Sequence, residues 1–261
     1  MNSKGLWRVA AAVLLGLLQV RALAAEDASE GFSATVGTKV WVNEWSSYTY
    51  APTVSGQAEV VPIDSSTEVS LIPVLNLRFR DFYASFSTLL NTTYTLSGQA
   101  LSSIDASRKE FDANVGYYVL PGLGVSAGYK SLSQVVGPSY RWSGPTIGVS
   151  LTAPIKGGFA GYGALGIGFF KMDLPGGDPN AAVNNSLNAN YAIGEIGVAY
   201  GAGGVPTIAV KSTAFTLGYR FQSVSTKDYR VLAGSTGTNV NGTTDLRDVT
   251  QGPALGFLLR F

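Results

Sequence analysis

From Phe32 onward apolar residues recur at every second position, in runs separated by turn-forming stretches. A period of two marks a β-strand whose two faces differ in polarity. In the first run Phe32, Ala34, Val36, Val40 and Val42 share one face, while Ser33, Thr35, Gly37, Lys39, Trp41 and Asn43 share the other. The same reading places Val69 to Phe79, Phe82 to Leu90, Phe111 to Val119, Val125 to Tyr129, Ile147 to Leu151, Leu165 to Phe169, Ile196 to Tyr200, Phe215 to Phe221 and Leu255 to Phe261 on the apolar faces of nine further strands. No charged residue falls in the middle of any of these faces.

That absence separates two all-β solutions. A soluble sandwich alternates as well, but its outer face carries Lys and Glu freely. Here the second face is mostly Ser, Thr, Gly, Ala and Tyr with isolated charges, which suits an enclosed lumen, and a lipid-facing Arg or Lys at mid-depth would cost about 2–4 kcal/mol. No apolar run reaches the roughly 18 residues that a spanning helix needs, so a lipid-embedded form has to be a closed barrel. The expected fold is an all-β, antiparallel up-and-down transmembrane β-barrel of about ten strands, within a range of eight to twelve. Connections at Arg80-Asp81, 121–124, 154–158 and 201–207 are short, whereas 44–66, 94–107, 173–187 and 225–245 read as long polar loops, with a brief one at 133–139. Short periplasmic turns and longer external loops have this asymmetry. The stretches 44–66 and 225–245 are also long enough to extend strands.

The N-terminus carries a different signal. Lys4 and Arg8 precede an apolar run from Val9 to Val20, and Ala22-Leu23-Ala24 supplies a small-residue cleavage site, so residues 1–24 read as a secretory signal peptide and 25–261 as one barrel domain. Removing Lys4, Arg8 and Arg21 leaves 15 basic against 17 acidic residues, and no basic stripe that would suit nucleic acid. The 261-residue chain has no cysteine and no histidine, which excludes disulfides, thiolate metal sites, cysteine nucleophiles and imidazole bases. Charged residues make up only 13% of the chain, about half the globular norm of ~25%.

The chain ends in GPALGFLLRF, with Leu255, Phe257, Leu259 and the terminal Phe261 on one face. This ending resembles the C-terminal signal of Gram-negative outer-membrane β-barrel proteins. The resemblance covers the mature chain in architecture and the last ten residues in motif, and it points to no subfamily. It implies residence in the cell outer membrane, contact with outer-membrane lipid and lipopolysaccharide, and recognition of those four residues by the barrel assembly machinery.

Function has to be sought on the inward face. Lys39, Arg78, Glu110, Asp112, Lys130, Glu195 and Arg220 are the candidate lumen or selectivity residues, with Arg108, Arg260 and Glu68 on the same side. Pairing around the Pro121 to Gly124 turn brings Lys130 near Asp112 and Asn114. Such charges form either a constriction selecting small polar or anionic solutes or an ion-pair network that seals the barrel. Inward glycines, among them Gly116, Gly168 and Gly218, favour some passage unless they only relieve crowding. The expected function is a narrow passive channel for small solutes. The alternative is a non-conducting barrel whose external loops bind a surface or host ligand. Trp41, Trp45, Tyr48, Tyr50, Tyr94, Tyr140 and Trp142 read as interfacial girdle residues, and acids such as Asp245 and Asp248 as solvated loop residues. The histidine used by outer-membrane protease, deacylase and phospholipase families is missing and no Gly-x-Ser-x-Gly occurs, so the expectation is no catalysis, no cofactor and no metal.

Overall fold

A computed structural model describes residues 31–52, 58–98, 101–176, 186–205, 209–233 and 239–261. The proposed signal peptide and the 177–185 connection lie outside the described residues. The strands are β1 (Ser33–Pro52), β2 (Ala58–Ser65), β3 (Glu68–Phe79), β4 (Phe82–Gly98), β5 (Leu101–Leu120), β6 (Leu123–Val135), β7 (Ser139–Pro154), β8 (Phe159–Asp173), β9 (Ser186–Val205), β10 (Val210–Ala233) and β11 (Asn239–Arg260).

All pairings are antiparallel, and β1 closes the ring against β11. At the seam the backbone of Phe261 exchanges hydrogen bonds with Ala34 in both directions, at 3.3 and 2.8 Å. Segments β2 and β3 occupy one place in the ring. β1 pairs with β2 through Ser46 to Pro52 and with β3 through Ser33 to Asn43, so the barrel has ten strand positions. Between the pairs Asn43↔Glu68 and Ser46↔Asp64 the second chain carries one extra residue, which is a bulge. There Ser65 Oγ accepts from the Trp45 N–H at 2.8 Å, taking over a ladder bond. Ten strands tilted about 40° give a backbone diameter of about 20 Å.

The alternation read from sequence has the predicted sense. Val36, Leu71, Phe86, Val115, Ile147, Leu165, Ile196, Leu217 and Leu255 are exposed on the outside, and β8 crosses from Phe159 to Phe169, the roughly 9–11 residues that an oblique crossing takes. Aromatic pairs on adjacent strands gird the turn end of this band: Phe82 with Tyr117, Phe159 with Tyr200 and Phe215 with Phe257, at 4.9–5.2 Å between ring centroids. The tightest turn, Arg80-Asp81, puts Arg80 in the left-handed region at φ 55°. No helix among the described residues is long and apolar enough to cross a membrane.

Most of the expected long loops are strand. β4 runs to Gly98, and Gly98 pairs with Leu101 at the start of β5, so 94–107 is a hairpin. β1 and β2 occupy most of 44–66, and β10 and β11 most of 225–245. Beyond Phe221, its last exposed apolar residue, β10 continues to Ala233, about 40 Å of strand at about 3.3 Å per residue. In these extensions the faces exchange character. Outward positions become Thr93, Thr95, Ser107, Lys109, Ser133, Lys171, Asn188 and Ser225, while inward positions become Tyr94, Leu96, Leu132, Trp142, Met172, Leu187 and Val224. In β4 the exchange coincides with a bulge between Leu89 and Thr92, where Leu90 and Asn91 are both exposed.

The girdle expectation is corrected by the same observation. Trp41, Trp45, Tyr94 and Trp142 are at most 3% exposed and lie inside the barrel, Tyr140 packs beside them, Tyr48 faces outward, and the side chain of Tyr50 lies outside the described residues. Trp45, Tyr94 and Trp142 sit where the outer face has turned polar, so the interior supplies the apolar environment, whereas Trp41 lies level with the outer band of Val69, Leu71 and Leu255 and packs inside on Ile72, Leu89 and Ala254. Val115→Arg, in the outer band, should lower unfolding free energy in lipid vesicles by about 2–4 kcal/mol. Thr93→Arg, outside the band, should change it by less than about 0.5 kcal/mol, both measured by denaturant titration.

Candidate functional site

Strand parity brings the inward charges together in two groups. Arg108 and Glu110 stand two residues apart on β5 and therefore share a face, and Asp112 on the same face pairs directly with Lys130 of β6. Arg108 Nε donates to Glu110 Oε1 at 2.8 Å. Lys130 Nζ lies 2.8 Å from Glu110 Oε2 and donates to Asp112 Oδ2 at 3.0 Å. Arg108, Glu110 and Lys130 are buried. From the opposite wall, Gln222 of β10 donates through Nε2 to Glu110 Oε1, and Thr250 Oγ1 of β11 accepts from Arg108 Nη1 at 2.7 Å. Tyr191 OH donates to Gln222 Oε1 at 3.2 Å, and the Lys130 ammonium sits 5.3 Å from the Tyr191 ring centre. Side chains of β5 and β6 are thereby joined to those of β9, β10 and β11 across the lumen.

The second group lies nearer the turns. Glu195 of β9 accepts from Lys39 Nζ at 2.6 Å, from Tyr162 OH at 2.9 Å and from Arg220 Nη1 at 3.4 Å. The Arg220 guanidinium is 5.2 Å from the Trp41 ring, a cation–π contact. Six of the seven candidate residues therefore fall into these two groups. Arg78 does not: its Nε donates to Arg80 O at 2.7 Å and its guanidinium covers the Tyr118 ring at 4.6 Å, at the periplasmic rim.

Above the first group, toward the external end, the interior is apolar. Leu132, Trp142, Phe170, Met172, Leu187, Ala189, Tyr191 and Val224 form one core, and Trp45, Ile63, Tyr94, Leu96 and Ala106 another. Trp142 Nε1 donates to Thr226 Oγ1 at 2.9 Å and Trp45 Nε1 to Asp248 Oδ1 at 3.0 Å, so both indoles have partners. Asp248, expected as a solvated loop acid, is instead buried on the inward face, because β11 is already strand there. Inward glycines act as seats for neighbours: a Cβ at Gly116 would overlap the Tyr83 ring, and one at Gly218 would meet the Tyr162 hydroxyl. Gln222, Thr250, Tyr162 and Tyr191 complete both groups without having been singled out in the sequence, although their inward parity was readable there.

Below the charges the lumen opens as a vestibule of about 610 Å³ toward the turn end, where polar side chains such as Asn76, Asn114, Thr146 and Thr216 alternate with apolar ones such as Val74, Ile193 and Leu258. No group of three or more acids that could hold a metal occurs among the described residues.

No protein-family model matches the chain, and no curated protein does. Among solved structures it is similar to the outer membrane protease OmpT from Escherichia coli, at 12% identity and TM-score 0.52, covering 88% of this chain and 97% of that one. The chain has the fold of an outer-membrane β-barrel. At that identity the likeness extends to the fold alone. The outer membrane protein OprG from Pseudomonas aeruginosa matches at 13% identity over 88% of this chain and 96% of that one, with TM-score 0.37. The Pseudomonas putida toluene transporter TodX matches at 10% identity over 92% of both chains, with TM-score 0.24.

Removing one partner of a buried ion pair strands the other charge at a cost of about 3–5 kcal/mol. Lys130→Met should therefore destabilise the refolded barrel by about that amount, since Glu110 and Asp112 both lean on it. The double variant Lys130→Met/Asp112→Asn, which removes the carboxylate left without a cation while Glu110 keeps Arg108, should recover part of the loss in the same denaturant titration.

Proposed function

We propose that this outer-membrane barrel is sealed and non-conducting, and that its externally extended strands form a presenting surface for a ligand at the cell surface. The observation that carries the reading is the ion-pair layer from Arg108, Glu110 and Lys130 to Gln222 and Thr250, with two apolar cores stacked on it. A hydrated ion passing this level would have to break paired charges and then cross rings and aliphatic chains without water. The buried acids Glu110 and Glu195 are committed to cations, which leaves neither available as a general base.

The extensions supply the other half of the reading. Their outer faces are polar and their inner faces packed, so they project as a stiff continuation of the barrel, a better platform for recognition than mobile loops. Binding residues tend to cluster on such rigidly supported connections.

Refolded mature protein in a planar bilayer should show no discrete conductance steps. Reproducible steps would replace this reading with that of a narrow channel for small solutes. Shortening the β10–β11 hairpin to end near Thr226 and Leu246 should leave a folded, silent barrel that no longer adheres to the surface bound by the wild type.

A further inference from the structure

We propose that the periplasm-facing vestibule binds a small oxyanion, a carboxylate or phosphate, between Lys39 and Arg220. Its volume, about 610 Å³, suits a small molecule. At its floor Glu195 accepts from Lys39, Tyr162 and Arg220, so two cations share its single charge. The other carboxylate on the lining, Asp112, already takes Lys130 Nζ at 3.0 Å and Asn114 Nδ2 at 2.7 Å.

The cations outnumber these acids. At the floor Lys39 and Arg220 stand against Glu195, and buried Lys130 neutralises Asp112 from behind. Their placement follows from register. Lys39 stands on the inward face of β1, and Arg220 beyond β11 on β10. Lys39 and Arg220 thus place positive charge at the floor between low-dielectric walls, which focuses potential on an entering anion. The Lys39 ammonium has three protons and donates one to Glu195, and its side chain is 21% exposed, against 11% for Arg220. Thr216, Asn76 and Thr146 provide neutral hydrogen-bonding groups on the walls.

The proposal rests on the lining and holds whether or not the lumen is sealed above it, so bilayer recordings and ligand titrations fail independently. Isothermal titration of the refolded mature protein in detergent, with citrate and with inorganic phosphate, should show saturable binding that weakens as sodium chloride is raised. Arg220→Gln should weaken it roughly ten- to a hundredfold. Glu195→Gln, which removes the competing carboxylate, should tighten it several-fold, a direction that misfolding does not produce. Lys227→Gln, on the external extension where Lys227 pairs with Asp245, should leave it unchanged. Absence of binding by wild type and Glu195→Gln at millimolar probe overturns the proposal, as does weakening by Glu195→Gln comparable to that by Arg220→Gln.

Discussion

The height at which each strand leaves the lipid governs this molecule. A strand offers two faces, and whichever meets hydrocarbon has to be apolar, because unpaired charge there costs several kcal/mol. Along the lower part of the ring that face is the outer one, with Val115, Leu165, Ile196 and Leu217 exposed to it. Beyond Leu90, Phe111 and Phe169 the outside meets water and the strands still have to bury something, so the apolar side becomes the inner one. Trp45, Tyr94, Leu132, Trp142 and Phe170 are buried inside for that reason. One barrel thus carries a membrane band in one part and a soluble-type core in the other.

The charges sit between the two regimes. Arg108, Glu110 and Lys130 are buried, and burying them is tolerable only because each meets an opposite charge and neutral partners across the lumen. Such a layer contributes little net stability compared with apolar packing of the same volume. It does fix which residues of β5 and β6 face which residues of β10 and β11, since a register slip of one residue would turn every charge toward lipid. The layer also divides the interior into an open vestibule below and a packed, largely apolar core above.

The inward and outward assignments were legible because period two survives any uncertainty about where a strand ends. Asp112 facing Lys130 followed from one turn and one parity. The extensions were not legible in the same way. Asn91 to Ser97 and Ser131 to Gln134 alternate as strictly as the band does, but with Thr and Ser outside and Tyr, Leu or Gln inside. Their polar composition resembles that of loops, and a scan for apolar outward residues passes over them. Aromatic residues near the ends of the apolar runs then look like a girdle. The partners that cross the lumen, Gln222 and Thr250, were hidden for another reason: register between neighbours can be counted along the chain, whereas contact across a ring depends on tilt and closure.

The division of the lumen is tested most directly by water access to two inward positions of one strand. The chain has no cysteine, so single substitutions report cleanly. Thr216→Cys lies on the vestibule wall and Val224→Cys, on the same face of β10, lies in the apolar core. A small membrane-impermeant thiol reagent applied to the refolded protein in vesicles should label Thr216→Cys when it has access to the turn side, and should leave Val224→Cys unmodified from either side. Rapid labelling of both positions would mean a continuous water-filled lumen and would contradict the account.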